Sequence, residues 1–265
     1  MADLIDRARA AVNDRADLPG MSLMEHLEEL RRRIIRSALF LIIAFFIAFA
    51  FSKKIYVYVQ APMTAALIAH HLDPQLVVHN PIDPVNLYLK VSFFGGAILA
   101  APFILYQVWM FISPGLYQNE KRYMMPFMAS TVGLFLAGAF FGYRFVFPGL
   151  LEFLVGYADK FKLLIEINEY TDLFTKVILG LGITFELPIL IMFLAMFGIV
   201  SASLLWKNVR YAILAIFIVA AIITPTPDVL TMCVFAAPMV VLYFISIGVA
   251  YMVHPDHRKK KAEQA

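Results

Sequence analysis

Charge is scarce in this chain, and cysteine is almost absent. Only 15% of the 265 residues are charged, while 62% are hydrophobic and Phe alone contributes 24, far from the usage of a soluble globular domain. The expectation is an all-α, polytopic membrane protein. Cys233 is the single cysteine, so no intramolecular disulfide forms; lying in an apolar run, it reads as a small packing residue. No phosphate-cradling glycine loop and no Ser, His and Asp combination suited to nucleophilic catalysis occurs, which argues against an ATPase, a hydrolase or any other enzyme. His70, His71 and His79 match no common zinc spacing, so neither a metal nor another cofactor is expected. Nothing points to nucleic acid. Residues 1–20 lack a compact apolar run and a cleavage site, so the first apolar stretch is expected to stay as a span.

Six apolar stretches follow, near residues 34–51, 87–112, 123–147, 173–197, 211–223 and 229–253. A hydrocarbon core of about 30 Å needs about 20 helical residues, so the fifth stretch is short and requires flanking Lys207 and Arg210 to snorkel or the bilayer to thin. Pro148-Gly149 is expected to end the third span, leaving 150–170 as a polar loop. Residues 52–86, interrupted by four prolines, read as an outer cap with a short helix near 63–71. Lys53, Lys54, Lys90, Arg144, Lys160, Lys162 and Lys176 fall on the outer side; the other 15 of the 22 bases fall on the side of both termini. The positive-inside rule therefore places both termini in the cytoplasm. The chain reads as one membrane domain over 1–265, with a tail at 1–20, six helices with their cap (52–86) within 22–253, and a basic tail at 254–265.

At the mouth of the first span, SLMEHLEELRRRIIR presents three carboxylates, then four arginines, then hydrocarbon. Ser22 and Glu25 have capping-box spacing, and Leu23, Leu27, Leu30 and Ile34 form a helical stripe. Glu28–Arg32 and Glu29–Arg33 stand at i,i+4, worth about 0.2 to 0.5 kcal/mol each. Those acids serve either as self-neutralising charge or as a seat for a basic partner. In the fourth span Glu186 lies near mid-membrane with Pro188 two residues on. An ionised carboxylate at that depth costs at least about 2.5 kcal/mol, so it should face protein or a wet concavity. Tyr106 and Trp109 are accounted for by an interfacial aromatic belt.

HLEELRRRI, LAAPFILYQVWMFISPGLYQNEKR, GITFELP, and TPTPD followed by AAPMVVLY together resemble one family, TatC, over residues 22–251. The resemblance implies a concave, glove-like six-helix bundle in the bacterial inner membrane. It implies a receptor for twin-arginine signal peptides that exports folded proteins on the proton-motive force. The implied partners are the signal peptides, TatA-type and TatB-type single-span subunits in a hetero-oligomer of several copies, and lipid. By motif, Glu29 and Glu120 form the arginine-recognition patch, with Arg31 and Gln107 beside it. Glu186 is the intramembrane acid, and Pro62, Pro102, Phe111, Pro114 and Asp228 have structural or partner-contact roles. The chain departs from the family pattern at Asp83 and Val85, in a TPTPD turn one residue longer than the usual TPPD, and at Phe244. The alternative is a proton-coupled small-solute transporter with Glu186 as relay, although the two halves show no convincing repeat.

Overall fold

The computed structural model describes residues 23–112, 124–158, 163–196, 198–224 and 229–253, and those residues are almost entirely helical. In chain order the helices are α1 (Leu23–Ala50), α2 (Ser52–Ala69), α3 (Asp83–Ile112), α4 (Met124–Phe141), α5 (Phe147–Tyr157), α6 (Ile167–Thr184), α7 (Leu187–Met196), α8 (Ala202–Lys207), α9 (Val209–Ile223) and α10 (Val229–Val253). Five continuous stretches are long and apolar enough to cross a membrane: α1, α3, α4 with α5, α6 with α7, and α10. The remaining crossing, fifth in chain order, is α9, whose 15 residues rise only about 22 Å. As the length of its apolar run predicts, it falls short of the hydrocarbon thickness.

The third crossing does not stop at Pro148. Between α4 and α5 the chain makes five residues of π-helix, Gly142–Val146, and the Phe147 N–H bonds to the Gly142 carbonyl. This extra residue per turn resets the register so that Pro148 falls in the first turn of α5, where a missing N–H costs nothing. The helix then runs to Tyr157, with Leu150 and Leu151 fully buried, so the expected polar loop is much shorter. The fourth crossing likewise begins earlier than hydropathy suggests, at Ile167.

The cap is also more helical than its prolines imply. α2 continues through Pro62 for 18 residues. Proline at 62 cannot donate to the Tyr58 carbonyl four residues back. The Tyr143 hydroxyl donates to that carbonyl instead, at 3.1 Å, while the Tyr170 hydroxyl donates to the Val59 carbonyl. Val59, Met63 and Leu67 on the inner face of α2 share the main core with Val91, Phe147, Leu150 and Val177 of α3, α5 and α6, and that core runs on into α7, α9 and α10. Val77 and Ile165–Ile167 exchange two backbone hydrogen bonds, which tie the cap to the start of α6.

α1 is different. It buries only a narrow stripe against α3, including Glu29, Ala44 and Ala48, and exposes Leu27, Ile34, Leu39, Ile42, Phe46 and Ile47. Of the apolar stripe seen in the sequence at its start, Leu27 and Ile34 point outward, where acyl chains solvate leucine and isoleucine as well as a protein interior does. Cys233 is likewise exposed on α10, not packed inside.

Candidate functional site

The site begins with close packing. Ala44 and Ala48 of α1 meet Gly95 and Gly96 of α3. A β-carbon on Gly96 would stand 2.9 Å from both the nitrogen and Cα of Phe45, so backbone lies on backbone there. Counting back along the same face of α1 in helical steps from Ala44 leads to Arg33 and Glu29. Small residues at one end of the stripe thus bring the polar end against α3.

There, the Glu29 side chain is 10% exposed and that of Arg33 16% exposed. One guanidinium nitrogen of Arg33 donates to Glu29 Oε1 at 3.0 Å, and the other terminal nitrogen donates to Gln107 Oε1 at 3.0 Å. Arg33 therefore bridges α1 and α3. The second carboxylate oxygen, Glu29 Oε2, is buried with no hydrogen-bond partner among the described residues. A buried acceptor left empty costs about 1 to 3 kcal/mol, so this oxygen is a place where an incoming donor gains binding energy. The Glu28–Arg32 pair does not form; both side chains are exposed, where such a pair is worth little.

Gln107 and Phe111 lie one helical turn apart on the α1-facing side of α3, and Phe111 stacks on His26 at 4.4 Å between ring centres. Trp109 points the opposite way. It is buried, its indole N–H donates to the Thr131 hydroxyl at 2.9 Å, and its ring packs on Phe127 and Phe193. The aromatic-belt expectation for Trp109 is thus replaced by an anchor that sets the rotation of α3, which in turn holds Gln107 toward Arg33. Tyr106, 38% exposed, keeps an outward position.

The second polar position is Glu186. Helix α6 ends at Thr184, and Phe185 and Glu186 form a turn before α7. Pro188 removes the donor that the Thr184 carbonyl would receive, which is the local cause of the break. Glu186 is half-buried, and its Oε1 is enclosed without a partner among the described residues. It sits inside the long apolar stretch Ile167–Met196, away from both ends of that crossing.

The sequence profile of TatC, the Sec-independent protein translocase protein, matches residues 25–238. This chain belongs to the TatC family. It is 55% identical over 259 residues to the Sec-independent protein translocase protein TatC of Koribacter versatilis, spanning 98% of this chain and 96% of that one. It is 42% identical to its counterpart in Helicobacter pylori strain J99, spanning 88% and 90% respectively. A crystal structure of the twin-arginine translocase receptor TatC superposes with a TM-score of 0.78 at 35% identity, covering 86% of this chain and 99% of that one. The all-α, six-helix, multi-pass architecture is therefore that of TatC.

Set on this TatC fold, the expected site residues divide into four groups. Glu29 and Gln107 come together through Arg33, a residue the motif comparison did not single out, with Phe111 on the same face of α3. Arg31, two residues from Glu29, is exposed and joins none of these contacts. Pro62 and Pro102 lie inside α2 and α3, and Glu186 at the α6–α7 break. Glu120, Pro114 and Asp228 lie outside the described residues. Two polar features carried no sequence signal. Asp83 is buried and accepts from the His79 and Asn80 N–H groups, closing the turn that starts α3, and Lys90 pairs with Asp172 across α3 and α6 at 2.7 Å.

Proposed function

We propose that this chain is the signal-peptide receptor of a twin-arginine translocase in the bacterial inner membrane. With TatA-type and TatB-type single-span subunits it exports folded proteins on the proton-motive force. The observation that carries the reading is that Glu29 already holds a guanidinium, in a site sheltered from water and with one oxygen to spare. A carboxylate is matched by an arginine fork in bidentate fashion, whereas a lysine presents a point charge. Glu120, carried by the inner loop, supplies the second carboxylate, so that two acids on separate elements read two adjacent arginines. Exposed Arg31 lies beside the site, and Gln107 furnishes a neutral acceptor.

Under this reading the membrane domain is one unit. The α1 end that carries Glu29 faces the cytoplasm together with both tails, and the cap of residues 52–86 faces outward, as the loop charges require. The outward face of α1, rich in large apolar side chains, meets lipid and single-span partners. Glu186 offers a polar contact to a partner helix or to the signal-peptide hairpin. The small-solute transporter reading finds no support in the relatives.

Photo-cross-linkers placed at positions 29, 120 and 186 of the assembled translocase test this reading, with a twin-arginine precursor as probe. Adducts from 29 and 120 to the arginine region are expected, and these are lost when both arginines become lysine. Adducts that are absent, or indifferent to that change, contradict the reading.

A further inference from the structure

We propose that Arg33 is a built-in occupant of the signal-peptide site: its guanidinium holds the Glu29 carboxylate until a peptide arginine displaces it, and this competition sets how strongly a peptide must bind to be accepted. The inference rests on the receptor reading of Glu29 given above.

The geometry has three parts. Arg33 is held at both terminal nitrogens, by Glu29 at 3.0 Å and by Gln107 at 3.0 Å, and the Gln107 bond spans two helices. Gln107 is itself buried and neutral, so it adds no charge that would have to be replaced when Arg33 lets go of Glu29. Glu29 Oε2 is buried and unpartnered, so an arriving guanidinium gains a first hydrogen bond there before the Arg33 bond to Oε1 breaks. Displacement then runs through a shared carboxylate instead of an empty one, and Arg33 stays tethered to Gln107, ready to return when the peptide leaves.

The exchange filters ligands by their donors. A peptide arginine replaces one charge-assisted guanidinium–carboxylate pair with another, close to an even trade. A peptide lysine gains less from Glu29, because an ammonium cannot fit the carboxylate in bidentate fashion. Freeing Glu29 from Arg33 costs either peptide the same, so Arg33 weakens both and leaves the lysine peptide, the weaker of the two, below useful affinity. Two neighbouring exposed bases, Arg31 and Arg32, repel any dibasic peptide that does not obtain the Glu29 carboxylate.

The test uses full-length protein in lipid nanodiscs and a fluorescent synthetic signal peptide in three forms, with two arginines, with lysine then arginine, and with two lysines. Arg33→Gln is expected to bind the two-arginine peptide about three- to tenfold more tightly and the lysine–arginine peptide by a similar factor, so both gain while the preference between them is kept. Arg33→Lys, which keeps charge but cannot bridge Glu29 and Gln107 as a planar fork, should shift both affinities in the same direction by less. Equal or weaker two-arginine binding in both variants, each monodisperse and inserted, overturns the proposal: Arg33 then only supports Glu29. A gain confined to one of the two peptides overturns it as well. Glu29→Gln is the separate check on the receptor reading. It should lose two-arginine binding whichever residue stands at 33, and its failure to do so would sink that reading, whatever the Arg33 variants show.

Discussion

The Tyr143 hydroxyl donates to the Tyr58 carbonyl, the acceptor that Pro62 orphans one turn along α2. A proline inside a helix in or near a membrane needs such a substitute donor, since lipid supplies none. Tyr143→Phe is expected to lower stability by about 0.5 to 1.5 kcal/mol. In a Pro62→Ala background the helix regains its own N–H at that carbonyl, so the same Tyr143 change should cost close to nothing. Denaturant unfolding of the four proteins in detergent gives the coupling, and strictly additive losses would contradict the account.

Gly96 permits the approach that places Glu29 and Arg33 against α3. A valine there meets backbone atoms of Phe45, which cannot rotate away as a flexible side chain would. Gly96→Val should cost about 1 to 3 kcal/mol through overpacking and should weaken signal-peptide binding as well. A β-carbon at Gly133 of α4 meets nothing within 4 Å, so Gly133→Ala is the control, expected to leave both unchanged. If peptide binding survived Gly96→Val at full strength, the α1–α3 approach would have no bearing on the site.

Glu186 has a buried oxygen with no partner within the described residues, so the folded chain loses no bond there on Glu186→Gln. Stability should change by less than about 0.5 kcal/mol, whereas precursor export and cross-linking to partner helices should fall markedly. Glu186→Ala should do the same to export, with a small additional packing loss. Stability and export declining in step would mark Glu186 as a packing residue.

Much of this was readable from hydropathy and spacing, and the exceptions have physical causes. The first, second and sixth crossings and the short fifth appear as predominantly apolar runs. The third and fourth do not: Pro148 looks like a stop until a π-turn places it where no donor is needed, and Ile167 to Tyr170 looks polar although it packs beneath the cap. At the site, the Glu29–Arg33 pair follows from i,i+4 spacing alone. The Arg33–Gln107 bond joins residues 74 apart, and no local pattern announces it. Trp109 was ambiguous for a related reason, since an interfacial anchor and a buried hydrogen-bonded wedge have the same one-letter signature, and only the packing of α4 and α7 decides between them.

The receptor claim meets its most direct test in the affinity of a two-arginine signal peptide for the purified full-length chain, measured beside its two-lysine form, in wild type, Glu29→Gln and Glu120→Gln. The account predicts a clear preference for arginine in wild type. Each variant should lose at least about tenfold in two-arginine affinity, about 1.4 kcal/mol, with insertion and unfolding midpoint retained. Equal affinity for the two peptides in wild type, or full two-arginine binding in either variant, would contradict it.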